Sequence, residues 1–312
     1  MKIGLFIAKF LAFIVSLFFS CVIILFVIPK DNNSYLCEYN HKLKLLETVE
    51  LPRIIIIGGS SVAFGTDSKQ LADSLKCNVI NFGLHGGIGI RYPVEDAIRY
   101  IKDGDLVVLQ FEYINFFDGG GGEPETFTQF MMATNWRNFI SLDYDQKKNA
   151  ISGVPLECIL SIKRLCKFFF IGSFDKPSVN SNFAYVKSGF NEFGDEVSHL
   201  NYPIMKYTPS NKLNKSEVRS DFVEWLKETI HIYEKKGAKV IMLPPVCINS
   251  HFKSSYNDNI EKALININYP YVTKPSQMAL DDSCVFNTGY HVNSYGVRQN
   301  TNKIINTLKL LR

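Results

Sequence analysis

The chain has 312 residues, 46% of them hydrophobic and 21% charged, which is enough apolar material for a sizeable core and excludes an intrinsically disordered protein. Its formal net charge of +4 is small for this length, and the lysines and arginines are scattered instead of forming a stripe, so no nucleic-acid partner is indicated.

The first thirty residues read as a separate object. An uncharged apolar run from Phe10 to Ile28 is about the length of a bilayer-crossing helix, with Lys2 and Lys9 before it and Pro29-Lys30-Asp31 after it. A cleaved signal peptide has a shorter apolar region and a small-x-small exit site. Cys21, behind Phe18-Phe19-Ser20, is a poor lipoprotein cleavage site, and the run continues past it. The expectation is a retained transmembrane signal anchor over 1–30, with a cleaved signal as the alternative. The default orientation puts the amino terminus in the cytoplasm and the body on the periplasmic or extracytoplasmic side. The seven cysteines show no Cys-x-x-Cys spacing and read as small buried residues, with disulfides left open for an exported body.

Residues 31–50 are polar and then helix-like from His41 to Val49, which suits a stalk. The body, 51–312, begins at Leu51-Pro52. A strand at 53–57 runs into Gly58-Gly59-Ser60-Ser61, a helix follows from Asp67 to Leu75, and a second strand at 78–82 ends in Gly83-Leu84-His85-Gly86-Gly87. A helix over about 94–101 and a strand at 106–111 come next. A helix from Ser216 to about Lys236, stopped by Gly237, leads to a strand at 239–243. Unbroken apolar strands alternating with helices predict an α/β fold, a parallel sheet with helices on both faces. Between these halves, about 118–211 is irregular, starts with four glycines, and reads as an insertion covering the cleft.

Chemistry is concentrated at strand ends. Ser60 follows the first strand, where a hydroxyl points from a sheet edge into a cleft, and Ser61 is the alternative nucleophile. A serine needs a base to take its proton, and His291, in His291-Val292-Asn293-Ser294-Tyr295-Gly296, is the candidate. His85 has two readings, facing the cleft or anchoring its loop. Tyr290 and Phe116-Phe117 are either sugar-stacking or core aromatics. The histidines show no metal-ligand spacing, and no cofactor is indicated.

Together these blocks resemble the SGNH (GDSL-like) hydrolase superfamily, most closely its membrane-anchored branch found with surface-polysaccharide genes. The resemblance covers about Leu51 to Thr301 without the insertion, and implies a flavodoxin-like sheet. It implies that Ser60 attacks an ester carbonyl, that His291 is the base, and that backbone N–H groups at Ser60 and Gly83 with the Asn115 amide form the oxyanion hole. The usual Gly-x-Asn-Asp is absent; Phe111-Glu112-Tyr113-Ile114-Asn115 stands in its place and leaves Glu112 an unexplained acid. The family's aspartate three or four residues before the histidine is also missing, since Thr288 and Asn287 occupy those positions. Three options stay open: a Ser-His dyad oriented by Asn287, an acid borrowed from Asp281 or Asp282, or a weakened site. The implied function is a serine esterase or O-acyltransferase, acetyl being the expected group, acting on an acylated cell-surface glycan beside a membrane-embedded acyl donor protein. The alternative is a catalytically inactive SGNH-like module that binds glycan or scaffolds a polysaccharide assembly pathway.

Overall fold

The computed structural model describes residues 2–28, 30–134, 136–172, 183–203, 207, 217–252 and 254–311. Four apolar runs, β1 (Arg53–Gly58), β2 (Asn78–Gly83), β3 (Leu106–Gln110) and β4 (Lys239–Met242), pair in parallel in the order β2-β1-β3-β4, which matches the four strands expected. Successive side chains leave a strand on opposite faces, so Ile55, Ile57, Ile80 and Val107 enter one core while Ile54, Ile56, Val79 and Val108 enter another. Burial on both faces is why the strands are unbroken hydrophobic runs.

Helices cover both faces. The N-terminal helix α1 (Lys2–Val27) is followed by α2 (Glu38–Thr48); α3 (Ser60–Gly65) and α4 (Ser68–Leu75) join β1 to β2, and α5 (Arg91–Ala97) leads to β3. Four helices follow: α6 (Asn115–Asp118), α7 (Pro124–Ala133), α8 (Tyr144–Ser152) and α9 (Val154–Ile171). The chain continues through α10 (Ser220–Lys235), α11 (Ser254–Asn266), α12 (Pro275–Met278) and α13 (Ser294–Leu310). Two short ladders accompany the last helices, parallel β5 (Cys247–Ile248) with β6 (Ala279–Leu280) and antiparallel β7 (Val285–Thr288) with β8 (His291–Val292). Helices α4 and α13 supply Leu71, Leu75, Ile304 and Leu308 to one face of the sheet. Helices α2, α5, α7 and α10 cover the other with Tyr39, Val94, Phe130 and Leu226.

Within α1, Ile3–Val27 is long and apolar enough to cross a membrane, with a mean hydropathy of 3.0. Its last turn is seated on the body: Leu25 and Ile28 are buried, Phe26 packs edge-on to Trp136 at 4.8 Å, and Lys30 just beyond pairs with Glu157 of α9 at 3.2 Å.

Residues 31–50, expected as a stalk, are built into the body instead. Tyr35, Tyr39 and Leu46 join the main core, and fully buried Lys42 donates to the carbonyl oxygens of Asn81, at 2.9 Å, and Gly194. A lysine on the buried face disguised the apolar stripe of α2. The segment expected as irregular also holds α7, α8 and α9. The buried side of α8 carries Gln146 and Ala150, so it shows no apolar period.

The base of the sheet is closed by a buried ion pair. Arg53 donates to Asp105 through Nε at 2.7 Å and Nη2 at 3.0 Å, and its remaining donors reach the carbonyl oxygens of Leu46, Val49 and Tyr100. Both residues are buried, so removing one charge strands the other. Asp105→Asn is expected to cost about 3–5 kcal/mol of stability, read as a lowered midpoint in chemical denaturation of the full chain.

Candidate active site

The order β2-β1-β3-β4 makes the gap between β1 and β3 the switch point of the sheet, where the chain leaves in opposite directions and open parallel sheets as a class bind ligands at the strand ends. Gly58 ends β1 opposite both Gly83 and Gln110. A methyl group there would lie 2.4 Å from the Gln110 carbonyl oxygen and from a Val62 methyl, so only glycine lets the strand turn directly into α3. Ser60 is the first residue of that helix, and Ser61 is buried behind it. From the end of β3, Glu112 reaches back across the switch point: its Oε1 accepts the Ser60 hydroxyl at 3.1 Å and the Ser61 N–H at 2.9 Å.

His291 lies on β8, stacked on Phe64 with ring centroids 4.2 Å apart and planes 7° from parallel. Phe64 is one helical turn beyond Ser60, on the same side of α3, so the imidazole and the serine share that side. Asn287 Oδ1 lies 2.8 Å from His291 Nδ1, and the Asn287 amide donates to the Tyr185 hydroxyl at 2.8 Å. With its carbonyl oxygen turned to the ring, Asn287 makes Nδ1 the donor and leaves the Nε2 lone pair as acceptor. The Tyr185 hydroxyl is 3.2 Å from the same Nδ1. Burial holds the His291 pKa down to about 3, with His199 and His85 adding to the depression. The resting ring is therefore neutral at physiological pH and a weak proton acceptor.

The expected oxyanion donors are rearranged. Gly83 N–H donates to Asn81 Oδ1 at 3.0 Å, and the Asn115 amide donates to the Glu112 carbonyl oxygen at 3.1 Å, so each already has an acceptor away from Ser60. The glycine beside the site is Gly86, where a methyl group would come within 3.1 Å of Glu112 Oε2; at Gly59 one would come within 2.8 Å of Oε1. His85 anchors this loop, its Nδ1 accepting the Gly87 N–H at 2.9 Å. The four-glycine tract is the loop's brace: Gly122 has φ +81°, and a methyl on it would lie 2.4 Å from the Ile88 carbonyl oxygen. Asp281 bonds Ser283 and Asp282 accepts from Ser250 N–H, so neither substitutes for the missing acid beside His291. Phe116 and Phe117 are core residues, and the Tyr290 hydroxyl accepts the Tyr113 N–H at 3.2 Å.

The end of the expected insertion closes over this arrangement. Buried Asp195 accepts from Ser68 N–H at 2.9 Å, the Ser68 hydroxyl at 2.6 Å, Asn81 at 2.8 Å and Asn191 at 3.1 Å. His199 pairs with Glu196 through Nδ1 and donates from Nε2 to the Val292 carbonyl oxygen at 3.0 Å, next to His291. Tyr185, His199 and the Asp195 network were missed in the sequence because they lie in a segment without periodicity. Glu112 was visible as an acid but not as the partner of Ser60.

No protein-family model matches the chain, and no curated protein matches it.

Asn287 sets the tautomer of His291 and adds no charge. Asn287→Asp places an anion on Nδ1, which is expected to raise the His291 pKa by about 1–3 pH units. Titration of the His291 ring by NMR checks this, and no upward movement would show that the two side chains are not in contact.

Proposed function

We propose that this protein is a membrane-anchored serine esterase or O-acyltransferase, of the SGNH type that its sequence resembles, which removes or moves an acyl group, expected to be acetyl, on a cell-surface glycan. The observation that carries the reading is the convergence at the carboxyl edge of the parallel sheet. Ser60 opens α3 there, and His291, its Nδ1 engaged by Asn287, stacks on the same side of that helix. Anchoring by α1 would hold the body at the membrane surface, on the extracytoplasmic side, beside a membrane-embedded acyl donor protein.

In this reading the Ser60 hydroxyl turns from Glu112 toward His291 Nε2 and attacks the acyl carbonyl as its proton passes to the imidazole. The tetrahedral intermediate collapses, the sugar oxygen leaves with that proton, and an acyl-serine remains. Water or a second sugar hydroxyl then attacks, gives its proton to His291, and releases the acid or the acylated acceptor as Ser60 recovers its hydrogen. Replacing aspartate by asparagine in a protease triad costs about 10⁴ in turnover, chiefly through the wrong tautomer. Here the tautomer is right, so the cost of lacking an acid is confined to the missing charge.

A second reading, an inactive glycan-binding or scaffold module, draws on the same geometry: the Ser60 hydroxyl and the Ser61 N–H are both held by Glu112. Fluorophosphonate labelling of the full chain separates the two. Serine chemistry predicts labelling that falls to background in Ser60→Ala and His291→Ala and persists in Ser61→Ala. A folded wild type that takes up no label would leave the scaffold reading.

A further inference from the structure

Glu112 is a buried acid beside the candidate nucleophile. Its Oε1 accepts two hydrogen bonds, from the Ser60 hydroxyl at 3.1 Å and from Ser61 N–H at 2.9 Å, which occupy both lone pairs of that oxygen. Its Oε2 lies beside Gly86, and among the described residues no lysine or arginine pairs with the carboxyl. The residue is only 6% exposed, and no cation stands against the carboxyl to offset a charge there.

The neighbours add no positive charge. From α3 come two hydroxyls, Ser60 and Ser61; from the Gly86 loop comes His85, its pKa lowered by burial. Beyond these stand neutral His291, the phenols of Tyr35 and Tyr290, and the carboxyl of Asp118 on α6. Burial pushes the Glu112 carboxyl above its ordinary value, and Asp118 pushes the same way against the bonds from Ser61 and Ser60.

We propose that Glu112, as a neutral carboxylic acid, is the side-chain donor to the substrate's acyl oxygen, the role that the sequence resemblance assigned to Asn115. When the Ser60 hydroxyl swings to His291, the Glu112 side chain stays tied to Ser61 N–H, and the Oε2–H is the hydrogen-bond donor presented beside Gly86. As charge develops on the acyl oxygen, a fixed O–H stabilises it, as protonated acids do in other oxyanion sites. The Gly86 N–H, which meets no acceptor among the described residues, lies at the same wall and is a second donor. Glycine at 59 and 86 follows from the bulk of this carboxyl: a methyl group at either would come within 3.1 Å of its oxygens.

The proposal rests on the serine-hydrolase reading, and its test separates the two. With p-nitrophenyl acetate as substrate and the full chain in detergent, E112Q, which keeps an acceptor and an N–H donor, is expected to lower kcat by no more than about tenfold, whereas E112A lowers it by about 10²–10³. The wild type loses activity as the pH rises through the Glu112 pKa, and E112Q lacks that limb. Infrared difference spectra of wild type against E112Q should show the carbonyl stretch of a neutral carboxylic acid at neutral pH. An active wild type with E112Q as dead as E112A, or without the neutral-acid band, overturns the donor role and leaves serine chemistry standing. A wild type that neither turns over the ester nor labels with fluorophosphonate overturns both.

Discussion

The structure depends on how three parallel strands finish at one level. Gly58 of β1 pairs with Gly83 on one side and Gln110 on the other, and its missing side chain lets α3 start against the strand ends. The serine side of the candidate site follows from this closure. Ser60 comes from the turn after β1, the Gly86 loop from the turn after β2, and Glu112 from the turn after β3. A bulkier residue at 58 would separate α3 from β3 and break the Ser60–Glu112 bond that crosses the switch point.

A second constraint comes from outside the sheet. The stretch around 184–202 is fastened by buried polar groups as well as by packing of Ala184, Tyr185 and Phe190 on the core: Asp195 receives four hydrogen bonds from α4, β2 and its own loop. A carboxylate so satisfied is costly to leave unmade and therefore specifies one docking arrangement. The result is placement of Tyr185 against His291 and Asn287, and of His199 beneath Val292. α2 is tied to the same region, because Lys42 spans Asn81 and Gly194. The segment between α1 and the sheet is thus structural, and the apolar helix joins a body that begins before β1.

These features divide by how they appear in sequence. The strands were legible because burial on both faces leaves unbroken runs such as Ile54-Ile55-Ile56-Ile57, and Ser60 was legible because it follows one of them directly. His291 and Asn287 share one short ladder and its turn, so their contact was within reach of sequence spacing. Gly83 N–H is engaged by Asn81 Oδ1 and lies away from Glu112 for a geometric reason. It is still paired in β2, and the chain needs three more residues to clear the strand and bring Gly86 beside Glu112. Asn115 lay one turn too far, its amide drawn back to the Glu112 carbonyl oxygen at the start of α6. The burial of α2 and the presence of α8 were obscured because Lys42 and Gln146 occupy their buried faces, a choice that only tertiary hydrogen bonds make favourable.

The exchange of acid and amide between the two ends of the site argues for a redistribution of charge over a simple loss. Beside His291, where the resemblance implies a carboxylate, stands neutral Asn287; beside Ser60, where it implies an amide, stands the carboxyl of Glu112. A site that had merely decayed would keep no reason for either hydrogen bond, yet Asn287 turns its oxygen to Nδ1 and Glu112 fills the space that two glycines leave. Burial disfavours charge on both groups, lowering the imidazole and raising the carboxyl, so the resting site is neutral at His291 and tends to neutrality at Glu112. Such a site gives up the electrostatic help an anion offers the imidazolium. Under the proposed serine chemistry, it would in return avoid a negative charge next to the oxygen on which charge develops.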